Sequence, residues 1–315
     1  MKKYLLPLDG KFYKANLHSH STISDGVKTP EELKEMYKNR GYSIFAYTDH
    51  DKFVRHNDLC DEEFLVLNGY EASIVEDIPD PEYAWRKVCH LGIIAPDAEI
   101  NEAPMAWEFG KGYSHEKINN IIKAAKERGF FITYNHPTWS RENYLDYMNF
   151  HDFDCLEIIN YNCIVGGTPE YNDGKYDDML RGGKRIFCLG ADDNHNTHYF
   201  FDSFGAYTMI KAERLDYESV FSALKNGDFY ASEGPEIYEL TFEDGLVEVR
   251  TSPAASILFN TSSRRGRNVI PTENNPSLVS YANYRPAADE KYFRITVTAP
   301  DGRKAYTRAY FLDEI

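Results

Sequence analysis

No stretch of this 315-residue chain is apolar for long enough to cross a bilayer as a helix. The opening Met1-Lys-Lys-Tyr-Leu-Leu-Pro-Leu-Asp9 has two basic residues but only a few apolar ones before Pro7, too few for the apolar core of a secretory signal. A cytoplasmic protein is expected. Cysteine is sparse: Cys60, Cys89, Cys155, Cys163 and Cys188 are scattered, with no C-x-x-C pair. That excludes a thiolate zinc site of the usual spacing and a disulfide framework, leaving reduced thiols that mostly sit in apolar runs. Positive charge is also short, 35 basic against 50 acidic residues for a net −15. Duplex DNA and anionic membrane are therefore poor partners, although a small anion held through bound cations is not excluded.

The length calls for one large α/β unit and a smaller one. Helix and strand signals alternate through about residue 230. Thr29-Pro30-Glu31-Glu32 places Thr at the N-cap, Pro at N1 and Glu at N3, a capping box, and the helix runs through Leu33, Met36 and Tyr37 to a stop at Gly41. Ser114 is a cap for a helix from Glu116 to Arg128, with Ile118, Ile121, Ile122 and Ala125 on one face. A last helix spans about Tyr217 to Asn226 before Gly227. Apolar strands are expected at 43–48, 64–68, 87–95, 130–136, 156–160, 185–190 and 204–210. This alternation predicts a parallel sheet covered by helices, closed or nearly closed as a (β/α) barrel with its chemistry at the carboxyl ends of the strands.

Composition shifts after Pro235. Asp244-Gly245 and Asp301-Gly302 are turn dipeptides, and Phe293, Ile295 and Val297 alternate along a strand. Residues 1–235 are expected to form the α/β unit and 236–315 a small all-β sandwich without a donor cluster. Arg264-Arg265-Gly266-Arg267 in the latter reads as a solvated basic loop.

Donors gather elsewhere. Tyr13-Lys-Ala-Asn-Leu-His-Ser-His20 runs as a strand into two histidines at i and i+2, which project on one side of an extended backbone. Asp25, His50, Glu71, His90, His136, Asp193 and His195 likewise fall in or just past strand-like runs. Imidazole plus carboxylate without thiolate suits Zn²⁺, Mn²⁺ or Fe²⁺. Nine groups exceed the needs of one ion and match two or three divalent ions sharing a carboxylate.

His18-x-His20, Ser24-Asp25-Gly26, Thr48-Asp49-His50-Asp51, Glu71, His90-Leu-Gly, Asn135-His136-Pro137 and Asp193-Asn-His195 resemble, in order, the motifs of the PHP (polymerase and histidinol phosphatase) family, over roughly residues 12–232. The resemblance implies a distorted seven-stranded (β/α) barrel, a di- or trinuclear metal centre and hydrolysis of phosphate esters. It assigns His18, His20, Glu71 and Asp193 to a first ion, Glu71, His90 and His136 to a second, and Asp25, His50 and His195 to a third. Asp25 stands where some members carry histidine, so the donor set of the third site differs. Asp193 rather than Asp192 is taken because it keeps the Asp-x-His spacing to His195. Asp193 and His195 thereby count as catalytic as well as ligating.

Beyond the ligands, Asp49 and Asp51 flank His50, and one of them is expected to orient an imidazole. His198 is a candidate donor of the leaving-group proton, and Arg141, Lys175 and Arg181 are candidates for a phosphate clamp. Trp139 and Tyr161 are open to either stacking on a substrate or packing. The expected partner is a small phosphorylated metabolite or nucleotide. Two other classes stay open: an amidohydrolase-type enzyme, which shares His-x-His but commonly adds a bridging modified lysine that no strand end here supplies, and a non-catalytic metal-stabilised binding module. Oligomeric state and the identity of the ester are not legible.

Overall fold

The structure, a computed structural model, describes residues 2–77 and 86–315. In chain order the elements are β1 (Lys3–Tyr4), β2 (Lys11–Asn16), α1 (Pro30–Lys38), β3 (Ile44–Tyr47), β4 (Leu65–Val75), β5 (Val88–Ile94), α2 (His115–Glu127), β6 (Phe131–Asn135), α3 (Tyr144–Tyr147), β7 (Cys155–Asn160), α4 (Tyr161–Val165), α5 (Asp173–Arg181), β8 (Phe187–Ala191), β9 (Tyr207–Ala212), α6 (Tyr217–Asn226) and β10 (Phe229–Ser232). Strands alone follow: β11 (Ile237–Glu243), β12 (Leu246–Ala254), β13 (Ser256–Thr261), β14 (Arg267–Val269), β15 (Val279–Tyr284), β16 (Tyr292–Thr298), β17 (Lys304–Thr307) and β18 (Tyr310–Phe311).

Local signals fold as their chemistry dictates. Thr29 Oγ1 accepts the Glu32 amide and the Glu32 carboxylate accepts the Thr29 amide, so both ends of the capping box form. Ser114 Oγ accepts from the Lys117 amide, and α2 buries Ile118, Ile121, Ile122 and Ala125. Gly227 closes α6 at φ 71°, a left-handed position suited to glycine. Helix α5 lacks a side-chain N-cap and carries Gly174 inside it; its apolar stripe is only Tyr176, Met179 and Leu180.

One sheet runs β14-β13-β16-β17-β10-β9-β2-β3-β4-β5-β6-β7-β8, with β18 beside β16. Of the expected closed or nearly closed barrel, the closed form is not found: the sheet does not close as a ladder. At the mouth, a single parallel bridge between Ser19 and Asn194 links the chain leaving β2 to the chain leaving β8. Nor is it uniformly parallel: β2, β3 and β4 are parallel, as are β6, β7 and β8, but β5 is antiparallel to both of its neighbours. That reversal explains how His90, near the start of β5, reaches the same mouth as residues at the ends of the parallel strands.

A second sheet joins β11, β12 and β15 to β1 from the start of the chain, with Lys3 opposite Phe242 and Tyr4 opposite Thr241. Leu240, Val247, Val249 and Ala282 from it meet Ile257, Phe259, Phe293, Ile295 and Val297 in one apolar core. Asp244 and Gly245, at φ 49° and 75°, make the tight turn between β11 and β12. The other face of β16 is buried as well: Arg294 makes a two-pronged pair with Asp177 of α5, at 2.7 and 2.8 Å. No helix among the described residues is long and apolar enough to cross a membrane.

Candidate metal centre

His18 and His20 leave the end of β2 in extended form, while Ser19 between them points away, its hydroxyl donating to the Ala46 carbonyl at 2.6 Å. The two Nε2 atoms meet at 3.2 Å. Asp193 Oδ1 lies 3.2 Å from His18 Nε2 and 3.0 Å from His20 Nε2. Glu71, in the middle of the long strand β4, completes the cluster: Oε1 is 3.1 Å from His18 Nε2, 3.3 Å from His90 Nδ1 and 3.2 Å from His136 Nε2. Its Oε2 is 3.1 Å from His50 Nδ1 and 3.4 Å from His20 Nε2. Asp25 reaches in from a loop, 3.7 Å from both His20 and His50 and 3.5 Å from His195. All nine expected donors converge, in groups whose ligating atoms lie within 4.8 Å of one another: His20, Asp25, His50 and His195; His18, His136 and Asp193; His18, His20 and Glu71; His50, Glu71 and His90.

Divalent cations fit this arrangement. Ligands about 2.0–2.2 Å from an ion are separated by about 3.0–3.5 Å along the edges of an octahedron or tetrahedron, the spacing found between these nitrogens and oxygens. Glu71 Oε2, His90 Nδ1 and Asp193 Oδ1 are buried and take part in no hydrogen bond, close as their neighbours are. Buried acceptors without donors are costly, and a cation at their common focus removes the cost.

The surroundings aim these side chains. Glu157, fully buried, accepts from His18 Nδ1 at 2.9 Å through Oε1, which turns the lone pair of Nε2 toward the cluster. Its Oε2 accepts the His136 amide at 3.0 Å and Asn160 Nδ2 at 2.9 Å. Asn160 Nδ2 also holds Asp193 Oδ2 at 3.0 Å, and Asn135 Nδ2 holds Glu71 Oε1 at 2.8 Å. Asp49 gathers the amides of Ser21 and Ser24 and both hydroxyls at 2.8–3.0 Å, shaping the loop that carries Asp25. Gly26 is required there, because a Cβ on it would stand 2.2 Å from the His20 carbonyl oxygen. His136 and Asp193 have φ of 24° and 54°, uncommon for non-glycine residues and found here where a strand end turns a side chain inward.

Charge follows from burial and proximity. Burial alone would make each carboxylate harder to ionise. The histidines around Glu71, and His18 with His20 and His195 around Asp193, reverse this and hold both well below the usual carboxylate range. Burial takes His20 down to about 4. It is outweighed at His136 by Glu71 and at His195 by Asp25 and Asp193, and both are raised to about 9. The pocket thus stabilises anionic carboxylates in a dry setting and attracts positive charge.

Asp193, not Asp192, faces the histidines. Asp192 is fully buried, accepts the Tyr37 hydroxyl and the amides of Phe204, Gly205 and Ala206, and orders the following loop. The remaining candidates are placed away from the donor cluster. Asp51 accepts the Ser73 amide, and it is the Ser73 hydroxyl that meets His50 Nδ1, at 3.1 Å. His198 is exposed and outside the cavity lining. Arg181 pairs with Asp178 on the exposed face of α5, and Lys175 is spent on Thr138 Oγ1 and Asn172 Oδ1. Arg141 is exposed at φ 63°. None of the three lines the cavity, because helix α5 and the loop after Pro137 carry them around its outside.

The cavity, about 240 Å³, is lined by Asp25, His50, Glu71, His90, His136 and Asp193 with His195, and by Trp139, Asn162, Cys163, Thr197 and Phe200. No lysine or arginine is among these described residues. Glu157 and Ser73 were not singled out from sequence. Glu157 left one trace, a carboxylate inside the apolar run Cys155–Asn160, where a buried charge must have a partner.

No protein-family model matches the chain, and no curated protein matches it. Among solved structures it is similar to a two-domain protein from Bacteroides vulgatus described as containing a predicted PHP-like metal-dependent phosphoesterase, with 16% identity, TM-score 0.50 and 98% of each chain covered. It also matches an amidohydrolase from Chromobacterium violaceum, at 15% identity and TM-score 0.39, over 57% of this chain and 87% of that one. The chain has the fold of the two-domain PHP-like protein along nearly its whole length.

Proposed function

We propose that this chain is a metal-dependent hydrolase of small phosphate esters, with residues 1–235 as the catalytic unit and 236–315 as an accessory β unit. The observation that carries the reading is the set of donor atoms from His18, His20, Glu71 and Asp193, 3.0–3.4 Å apart, buried, and with too few hydrogens to satisfy one another. Two or three divalent ions, Zn²⁺, Mn²⁺ or Fe²⁺, would be held by His18, His20, Glu71 and Asp193, by Glu71, His90 and His136, and by Asp25, His50 and His195. Bound there, such ions supply neutralisation of phosphoryl charge and acidification of water. Glu71 keeps the donor groups in register through its two oxygens. Glu157 fixes His18 in the tautomer that presents Nε2, and Asn160 and Asn135 hold the carboxylates against rotation. Trp139 and Phe200 narrow the approach to the cavity.

Protein loaded separately with Mn²⁺ and Zn²⁺ is to be assayed on aryl phosphate monoesters and diesters beside amide and lactone substrates, with the bound metal quantified. Turnover of phosphate esters that disappears on chelation is expected. Metal-loaded protein that cleaves only amides or lactones, or nothing, refutes the proposal.

A further inference from the structure

Two aromatic side chains stand on the wall of the donor cavity in a manner that metal binding does not require. Trp139 is 45% exposed although its ring packs on two of the candidate ligands, with centroids 5.6 Å from His90 and 5.1 Å from His136. It is not on a loose loop. The fully buried Glu170 accepts the amides of Thr138 and Trp139 at 2.8 and 2.7 Å and pins that turn. Phe200 is 37% exposed, and Tyr199 and Phe201 beside it are 90% and 59% exposed. Their segment is tied by buried Asp202, which accepts the amides of His195 and Asn196. Large apolar rings held open to water around a polar cavity mark a binding surface rather than a core.

With cations held by the donor cluster, the cavity floor would take the anionic end of a phosphate ester, and what remains of the ester would face Trp139 and Phe200 on the cavity wall. A ring has the flat face that these side chains complement. We infer that the substrate's ester substituent is a planar aromatic ring, and that Trp139 and Phe200 are the residues that select it. This rests on the phosphoesterase reading for the anionic end of the ligand, and it adds a choice among esters that the metal ligands do not make.

Phosphonates test it without turnover, since their carbon–phosphorus bond survives. Binding of methylphosphonate and phenylphosphonate to Mn²⁺-loaded protein is to be measured by calorimetry for the wild type, Trp139→Ala, Trp139→Phe and Phe200→Ala. The wild type is expected to prefer phenylphosphonate by about tenfold. That ratio falls to about twofold or less in Trp139→Ala, falls partly in Phe200→Ala, and largely persists in Trp139→Phe. A wild-type ratio near one, or a ratio untouched by both alanine variants, overturns the inference. Phe200 is on a separate loop from the candidate ligands His90 and His136 but shares one with His195, so bound metal is quantified in each variant, and a changed ratio at unchanged metal content separates ring recognition from disturbance of the ligands. Ring preference in a protein that hydrolyses no phosphate ester supports the aromatic site while the activity assignment falls; ester turnover without ring preference does the reverse.

Discussion

Replacing Glu157 by glutamine keeps the volume and removes one acceptor, and the geometry leaves the amide no comfortable orientation. If its oxygen stays opposite His18 Nδ1, its NH₂ faces the His136 amide and Asn160 Nδ2, two donors that the carboxylate now accepts at 3.0 and 2.9 Å. If it flips, NH₂ faces His18 Nδ1, forcing that nitrogen to accept and moving the imidazole proton to Nε2, which then no longer offers a lone pair to the donor cluster. The first arrangement leaves buried donors unsatisfied at about 1–3 kcal/mol each. The second removes a ligand. Loss of a carboxylate behind a ligating histidine typically weakens metal binding about 10–100-fold, which is about 1.4–2.7 kcal/mol. Competition with a chromophoric chelator measures the affinity, and thermal melting with and without metal shows whether the fold survives. Wild-type affinity in a folded Glu157→Gln protein would refute the claim that this carboxylate sets the tautomer of His18.

Gly26→Ala should push the Asp25 loop off the His20 carbonyl and weaken metal binding at the site proposed for Asp25, His50 and His195 by at least about tenfold, without weakening the sites proposed at His18 and His90; metal affinities unchanged from wild type count against this. Glu142, buried with the Tyr113 and Tyr134 hydroxyls donating to it at 2.6 Å, is raised to about 8, chiefly by burial. Because the folded state then holds a proton that the unfolded state releases, stability contributed by this group is full below the unfolded value and is lost as pH rises toward 8. Glu142→Gln should remove that slope, by up to about 4 kcal/mol across the window, and parallel denaturation profiles for the two proteins from about pH 5 to about pH 9 would contradict it. Arg294→Ala leaves Asp177 without its two-pronged partner between β16 and α5 and should cost about 3 kcal/mol in urea unfolding; a loss under about 1 kcal/mol means that solvent already screens the pair.

Local chemistry carried much of the fold in advance. The Thr29–Glu32 capping box, the Ser114 cap, the stop at Gly227 and the Asp244-Gly245 turn each depend on neighbours within a few residues, and each forms. The i, i+2 spacing of His18 and His20 put their imidazoles on one side because an extended backbone has a period of two. What short-range pattern does not encode is pairing direction and closure. That β5 runs against β4 and β6, and that the sheet stays open between β8 and β2, are outcomes of contacts far apart in sequence. The same limit applies to the site. Ligand type and strand-end position marked the nine donors, but the orientation of His18 comes from Glu157, 139 residues away, and that of His50 from Ser73. Arg141, Lys175 and Arg181 had the right charge for an anion clamp; only packing of α5 and the turn after Pro137 decided that they face other partners or water. Residue chemistry thus named the candidates for the centre, and tertiary packing, which alone sets where a side chain points when its partner is remote, chose among them.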